Sequence, residues 1–184
     1  IDATLKIIDK PTAGIDELLQ IVKGPDFPTG GIIQGKDELK KAYETGRGRI
    51  IVRSKVETEE LRGGKNLIAV SELPFEVNKA NLVKKIDEIR ADRKVDGILE
   101  VRDETDRNGL QIAIDLKKGA NEDLIVNYLL KNTDMMISYN YNMVAIVNQR
   151  PMTLGVLQIL DAYIAFQREV ITRRTEFDLK VAKA

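Results

Sequence analysis

From Leu67 to Val147 the spacing of apolar residues switches repeatedly between two and 3.6, and that alternation constrains the fold more than any motif does. Leu67 to Leu73 alternates as a strand. After Pro74, the residues Leu82, Val83, Ile86 and Ile89 recur at helical spacing behind Asn78, whose side chain suits an N-cap. Ile98 to Val101 and Leu110 to Leu116 read as strands joined by residues 103–109. Asn121 then caps a helix with Leu124, Ile125, Tyr128 and Leu129 facing inward, and Ser138 to Val147 reads as a closing strand. The order β-α-β-β-α-β is a split βαβ pattern, which folds as an antiparallel sheet with helices on one face. The fold class predicted is α+β.

Upstream, Ala3 to Asp9 and Ile15 to Val22 read as short helices, Gly31 to Gln34 as a short strand and Asp37 to Tyr43 as a helix ended by Gly46-Arg47-Gly48. Arg49 to Leu61 reads as one long strand, with Ile50, Val52 and Val56 on one face and Arg49, Ile51, Arg53, Lys55 and Glu57 on the other. The turn Arg62-Gly63-Gly64-Lys65 returns it to Leu67 as a hairpin. From Leu154 onward only Gly155 interrupts a helical pattern carried by Leu157, Leu160, Ile164 and Ile171, so the chain is expected to finish in a long helix. That helix shows no C-cap signal, and Ile1-Asp2-Ala3 resembles neither an initiator Met nor a signal peptide. Both ends are expected to have continued in a longer protein.

Charge and residue usage exclude whole classes of chemistry. Lys plus Arg and Asp plus Glu each number 29, so any electrostatic argument has to be local. The 184 residues include no Cys and no His, which removes disulfides, thiolate nucleophiles, imidazole metal ligands and every Ser-His or Cys-His arrangement. No apolar run approaches a membrane span, so no membrane partner is expected.

Gly46-Arg47-Gly48-Arg49 has the composition of a phosphate cradle. It lacks the GxxxxGK[ST] pattern and lies between a helix and a strand in the wrong order, so it reads as a turn with phosphate contacts nearby rather than as a nucleotide site. Glu104, Asp106, Asn108 and Asp115 have a calcium-loop flavour, but their flanks alternate like strands and Asn108-Gly109 is a hairpin turn. Asn78, Lys79, Lys84 and Lys85 combine a helix start with ammonium groups able to hold phosphates without reading sequence, or else they form an ordinary solvated face diluted by Asp87 and Glu88. Arg49, Arg53 and Lys55 make a second basic patch. Tyr139 and Tyr141 share a strand face and are expected to pack against a helix rather than stack on bases. None of the tyrosines has a neighbouring base or metal cluster to make it a nucleophile.

Several stretches taken together resemble the A subunits of bacterial type IIA DNA topoisomerases: GPDFPTGG from Gly24, KKAYETGRGRIIVR from Lys40, ELPFEVNKANLVKKI from Glu72, VDGILEVRDETDRNGLQI from Val95, YNMVAIVNQRP from Tyr141 and REVITRRTEFDL from Arg168. The wording of KVDGILEVRDETDRNG and ISYNYNMVAI is closer to the topoisomerase IV branch of Gram-positive bacteria than to gyrase.

The resemblance implies a tower, or shoulder, domain over residues 25–153, preceded by a helical lead-in at 1–24 and followed at 154–184 by the start of a coiled-coil helix. In that family an Arg-Tyr pair on a preceding winged helix cleaves DNA. None of Tyr43, Tyr128, Tyr139, Tyr141 or Tyr163 follows an arginine, so this stretch is expected to lack the catalytic tyrosine and to be inactive alone. The implied parent is an ATP-dependent enzyme that passes one duplex through a break in another. Magnesium and ATP are used by its B subunit in an A2B2 heterotetramer, and the A subunits pair through a gate elsewhere in the chain. No cofactor is expected within these residues, and the implied location is the cytoplasm, at the nucleoid. Double-stranded DNA is the expected partner, with Lys79, Lys84, Arg49 and Arg53 as candidate phosphate contacts and Arg47 and Asn78 as further ones. The competing reading is a structural module of the same subunit that never touches DNA. An independent phosphate-ester enzyme has the least support, because His, Cys and a carboxylate cluster are all missing.

Overall fold

The computed structural model describes residues 1–61, 64–107 and 109–183. The chain divides into two compact units, one of residues 1–25, 35–50 and 140–184 and the other of 26–34 and 51–139.

The second unit is built on a four-stranded antiparallel sheet of β3 (Lys55–Leu61), β4 (Lys65–Glu72), β5 (Ile98–Asp103) and β6 (Ile112–Leu116), in the order β3-β4-β6-β5. Two helices, α4 (Lys79–Ala91) and α5 (Glu122–Asn132), cover one face. Both start as predicted: the side chains of Asn78 and Asn121 each accept a hydrogen bond from a backbone N–H three residues on, at 3.0 Å. Leu82, Ile86 and Ile89 of α4 and Ile125 and Leu129 of α5 are buried against Ile68, Val70, Ile98, Ile112, Ile114 and Leu116. Each such aliphatic side chain contributes about 1.5–3 kcal/mol by leaving water. The α+β class with helices on one sheet face is borne out.

Two details depart from the expected pattern. The run from Arg49 to Leu61 is two strands, β2 (Arg47–Arg53) and β3, because Ser54 is fully buried and its N–H bonds Met135 O at 2.7 Å rather than continuing the β3 ladder. The closing strand of the split βαβ pattern, β7 (Met136–Asn142), joins β2 and β1 (Ile32–Gln34) in a separate sheet of order β1-β2-β7. Strand β3 therefore holds the edge position beside β4 that the pattern reserved for the last strand. The turn at Arg62-Gly63 and the Asn108 position of the other hairpin lie outside the described residues, although Asp106 and Gly109 form a β-bridge.

The first unit holds α1 (Asp2–Asp9), α2 (Ile15–Leu19), α3 (Lys36–Thr45), a hairpin of β8 (Val144–Val147) and β9 (Arg150–Thr153), and the 28-residue α6 (Val156–Lys183). Its small core is Ala3, Ile7 and Leu18, with Val22, Val156, Leu157, Leu160 and Ile164 packed on it. Only the first turns of α6 take part. Beyond Ile164 its apolar residues Phe166, Ile171, Phe177 and Leu179 are exposed. The expected strand from Ser138 to Val147 breaks at Met143, whose N–H bonds Gly46 O at 2.8 Å.

Candidate nucleic-acid interface

The glycine-rich motifs of the sequence turn out to be packing devices. Gly46 ends α3 in the left-handed region, φ 76°, and a Cβ there would collide with the Leu154 backbone. A Cβ on Gly48 would meet the Ala42 Cβ at 2.7 Å, so α3 lies tight on β2 only because position 48 lacks a side chain. The motif leaves Arg47 and Arg49 pointing outward without forming a cradle. In GPDFPTGG, Phe27 stacks on Phe75 at 5.9 Å and meets Tyr139 edge-on at 5.1 Å. The Gly31 N–H donates to Glu72 Oε2 at 2.6 Å, with φ 98°. Tyr139 therefore packs on loop aromatics rather than on a helix.

Strand β2 carries the first group of candidate cations. Alternate residues Arg47, Arg49, Ile51 and Arg53 share its outward face, while Ile50 and Val52 are buried on the other. Arg47 Nη2 donates to Thr153 Oγ1 of β9 at 3.1 Å, which anchors the guanidinium near the hairpin. Arg53 is half-buried, and its Nε has no hydrogen-bond partner among the described residues. On the adjacent strand β7 the exposed residues are Ser138, Asn140 and Asn142. No carboxylate stands among these outward side chains of β2 and β7.

Helix α4 carries the second group. Lys79 Nζ lies 2.7 Å from Asp103 Oδ2 and 2.9 Å from Thr105 Oγ1, and the hydrogen bonds that Asp103 accepts, from Lys79 first and Thr105 second, hold its carboxyl down at about 2. The Asn78 side chain is engaged as the helix cap. Lys84 is exposed further along the helix, with no ion-pair partner among the described residues. Arg47, Arg49 and Arg53 are thus gathered on one strand, and Asn78, Lys79 and Lys84 on one helix. The partners Thr153 and Asp103 gave no sequence signal, being separated from their cations by 106 and 24 residues.

The remaining candidates resolve simply. Arg102 bridges Glu104 and Asp115, each at 3.1 Å, so two of the calcium-loop carboxylates are spent on a cation. Tyr43 and Tyr141 lie 6.0 Å apart, and burial pushes both hydroxyls up, Tyr43 to about 12, the opposite of an activated nucleophile. No helix among the described residues is long and apolar enough to cross a membrane.

The described residues thus make up an antiparallel α+β scaffold with cationic strand and helix faces, and among them no group of carboxylates able to hold a metal ion. The chain belongs to the family of DNA gyrase/topoisomerase IV A subunits, whose model matches residues 1–184. It is 60% identical over 183 residues to the A subunit of DNA topoisomerase 4 from Bacillus subtilis (strain 168), covering 100% of this chain and 23% of that protein. It is likewise 60% identical to the Streptococcus pneumoniae counterpart, covering 100% of this chain and 22% of that one, and 61% identical to the Staphylococcus aureus counterpart, covering 100% and 23%. The chain spans under a quarter of these relatives' length. The resemblance drawn from the sequence motifs is borne out.

Proposed function

We propose that this chain is a stretch of the breakage-reunion subunit of a type IIA topoisomerase that supports the arms of the bent gate duplex, while the bond-breaking tyrosine lies outside these residues and the stretch alone is inactive. The parent reaction is ATP-dependent double-strand passage, in the cytoplasm at the nucleoid, with magnesium and ATP handled by the B subunit of an A2B2 assembly whose A subunits pair through a gate beyond this chain. Residues 25–153 form the tower in this reading, after the 1–24 lead-in, and 154–184 start the coiled coil.

One observation carries the DNA contact: three of the four outward positions of β2 are arginines, with no carboxylate beside them on that strand. Bending a site costs several kcal/mol, and phosphate contacts spread along the duplex offset it without base readout. Arg49 and Arg53, with Arg47, make the strand's contacts, and Lys84, with Lys79 and Asn78, those of the helix. The test is the salt dependence of DNA binding by the full A subunit. Each lost phosphate contact flattens the slope of log K against log salt by about 0.9. Arg49→Ala with Arg53→Ala should flatten it by nearly twice that, and an unchanged slope and affinity would remove β2 from the interface.

A second reading, an assembly module without DNA contact, is favoured by the Lys79 to Asp103 pair, which neutralises a candidate cation within the fold. Lengthening the duplex separates the two readings, since only an arm-binding surface gains affinity from flanking DNA.

A further inference from the structure

The outward face that β2 shares with its neighbour carries uncharged hydrogen-bonding groups that phosphate binding leaves unused. Asn140 and Asn142 of β7 are both exposed, separated by the buried Tyr141, in the same unit as Arg47 and Arg49. Residues two apart on a strand sit ~6.8 Å apart, about twice the ~3.4 Å rise of one base-pair step, so alternate side chains can keep pace with a duplex groove. Arg47 is tied to Thr153 at 3.1 Å, which fixes the cation at the end of this row near the hairpin.

We propose that Asn140 and Asn142 are groove contacts: their amide N–H groups donate to the minor-groove acceptors of A·T pairs, adenine N3 and thymine O2, while Arg47 and Arg49 hold the flanking phosphates. A carboxamide at each position supplies donors without charge. It adds affinity and sequence preference without adding to the salt slope, whereas an arginine on phosphate adds slope without preference. In a G·C pair the exocyclic guanine amine projects from the groove floor and crowds a carboxamide seated on these acceptors. The proposal rests on the reading that β2 faces the duplex, and it extends that surface to β7 with a preferred arm composition.

The experiment titrates the full A subunit across a salt series against two duplexes of equal length, identical at the cleavage site, with A·T-rich or G·C-rich arms. The unaltered protein should bind the A·T-rich arms about fivefold more tightly, one good base-edge contact's worth. Asn140→Ala with Asn142→Ala should abolish that preference and keep the salt slope. Should the alanine protein lower the melting temperature, Asn140→Val with Asn142→Val, whose β-branched side chains suit a strand and carry no donor, takes its place with the same expectation. A preference that survives both pairs overturns the proposal, as does an equal loss on both duplexes with a flattened slope. Arg47→Ala with Arg49→Ala isolates the underlying reading: a slope it leaves unchanged removes these arginines from the phosphate backbone, whatever the asparagine variants do.

Discussion

Strands β2 and β3 follow one another in sequence with only Ser54 between them, yet they are built for opposite surroundings: β2 alternates exposed and buried residues, whereas β3 is exposed from Glu57 to Leu61. The outward row of β2 is Arg47, Arg49, Ile51 and Arg53. Strand β3 is the edge of the four-stranded sheet and exposes Glu57, Glu59 and Glu60. A row of carboxylates blunts an edge against pairing with another chain and repels phosphate, whereas the arginine row attracts it. Periodicity, then, locates strands, and charge sign separates a strand suited to a polyanion from one guarded against contact.

The comparison can be broken most sharply by exchanging the charges. Arg47→Glu, Arg49→Glu and Arg53→Glu together should lower the full protein's affinity for long duplex by at least about a hundredfold at moderate salt, because three phosphate contacts are lost and three repulsions gained. A loss within about threefold in a gel-shift titration would put β2 on a par with β3. The joint between the strands comes next. Ser54→Pro deletes the N–H that reaches Met135 O and should cost about 2–3 kcal/mol in denaturant unfolding. Ser54→Ala should be close to neutral, since the hydroxyl is buried with no partner among the described residues. Smaller again, Glu57→Ala with Glu59→Ala should change DNA affinity by less than about twofold if β3 stands clear of the duplex.

Two pH effects sharpen the electrostatic side. Asp103 sits at about 2 when folded against an ordinary 3.8, so its pairing with Lys79 contributes stability that is present above the unfolded value and disappears as pH falls toward 2. Asp103→Asn should therefore remove part of the acid-side slope of the melting temperature between those values. Tyr43 runs the other way: its hydroxyl rises from 10.0 to about 12 on burial, so unfolding is favoured as pH climbs through that window. Tyr43→Phe should blunt the loss, read by circular dichroism melts from neutral pH to about 11.

Much of the fold was legible residue by residue. The caps Asn78 and Asn121 work because an asparagine side chain satisfies an N–H that the helix itself leaves open, a purely local bond. The hairpin β8–β9 was not legible. Its two-residue turn puts Asn148 and Gln149 at φ 51° and 63° without the glycine that normally advertises such a turn, and β9 contains Pro151, tolerated because the sheet has only two strands. Of the candidate site, the cationic row of β2 could be read from its alternation. That Lys79 is shared with Asp103 and Arg47 with Thr153 could not, because nothing in a one-dimensional pattern brings residues so distant within 3.1 Å.

By itself the sequence determined the alternation of strand and helix, the capping of the two long sheet-covering helices, the separation of basic from acidic stretches, and the family, since each resides in neighbouring residues or in the wording of contiguous segments. Only the tertiary structure decided that a single alternating run splits at Ser54 and that β7 pairs with β2 instead of completing the larger sheet. It also decided that Lys79 is engaged by Asp103 and Arg47 by Thr153. Those outcomes depend on where a buried backbone N–H finds its acceptor and which carboxylate lies within reach of an ammonium, and both are settled by long-range packing.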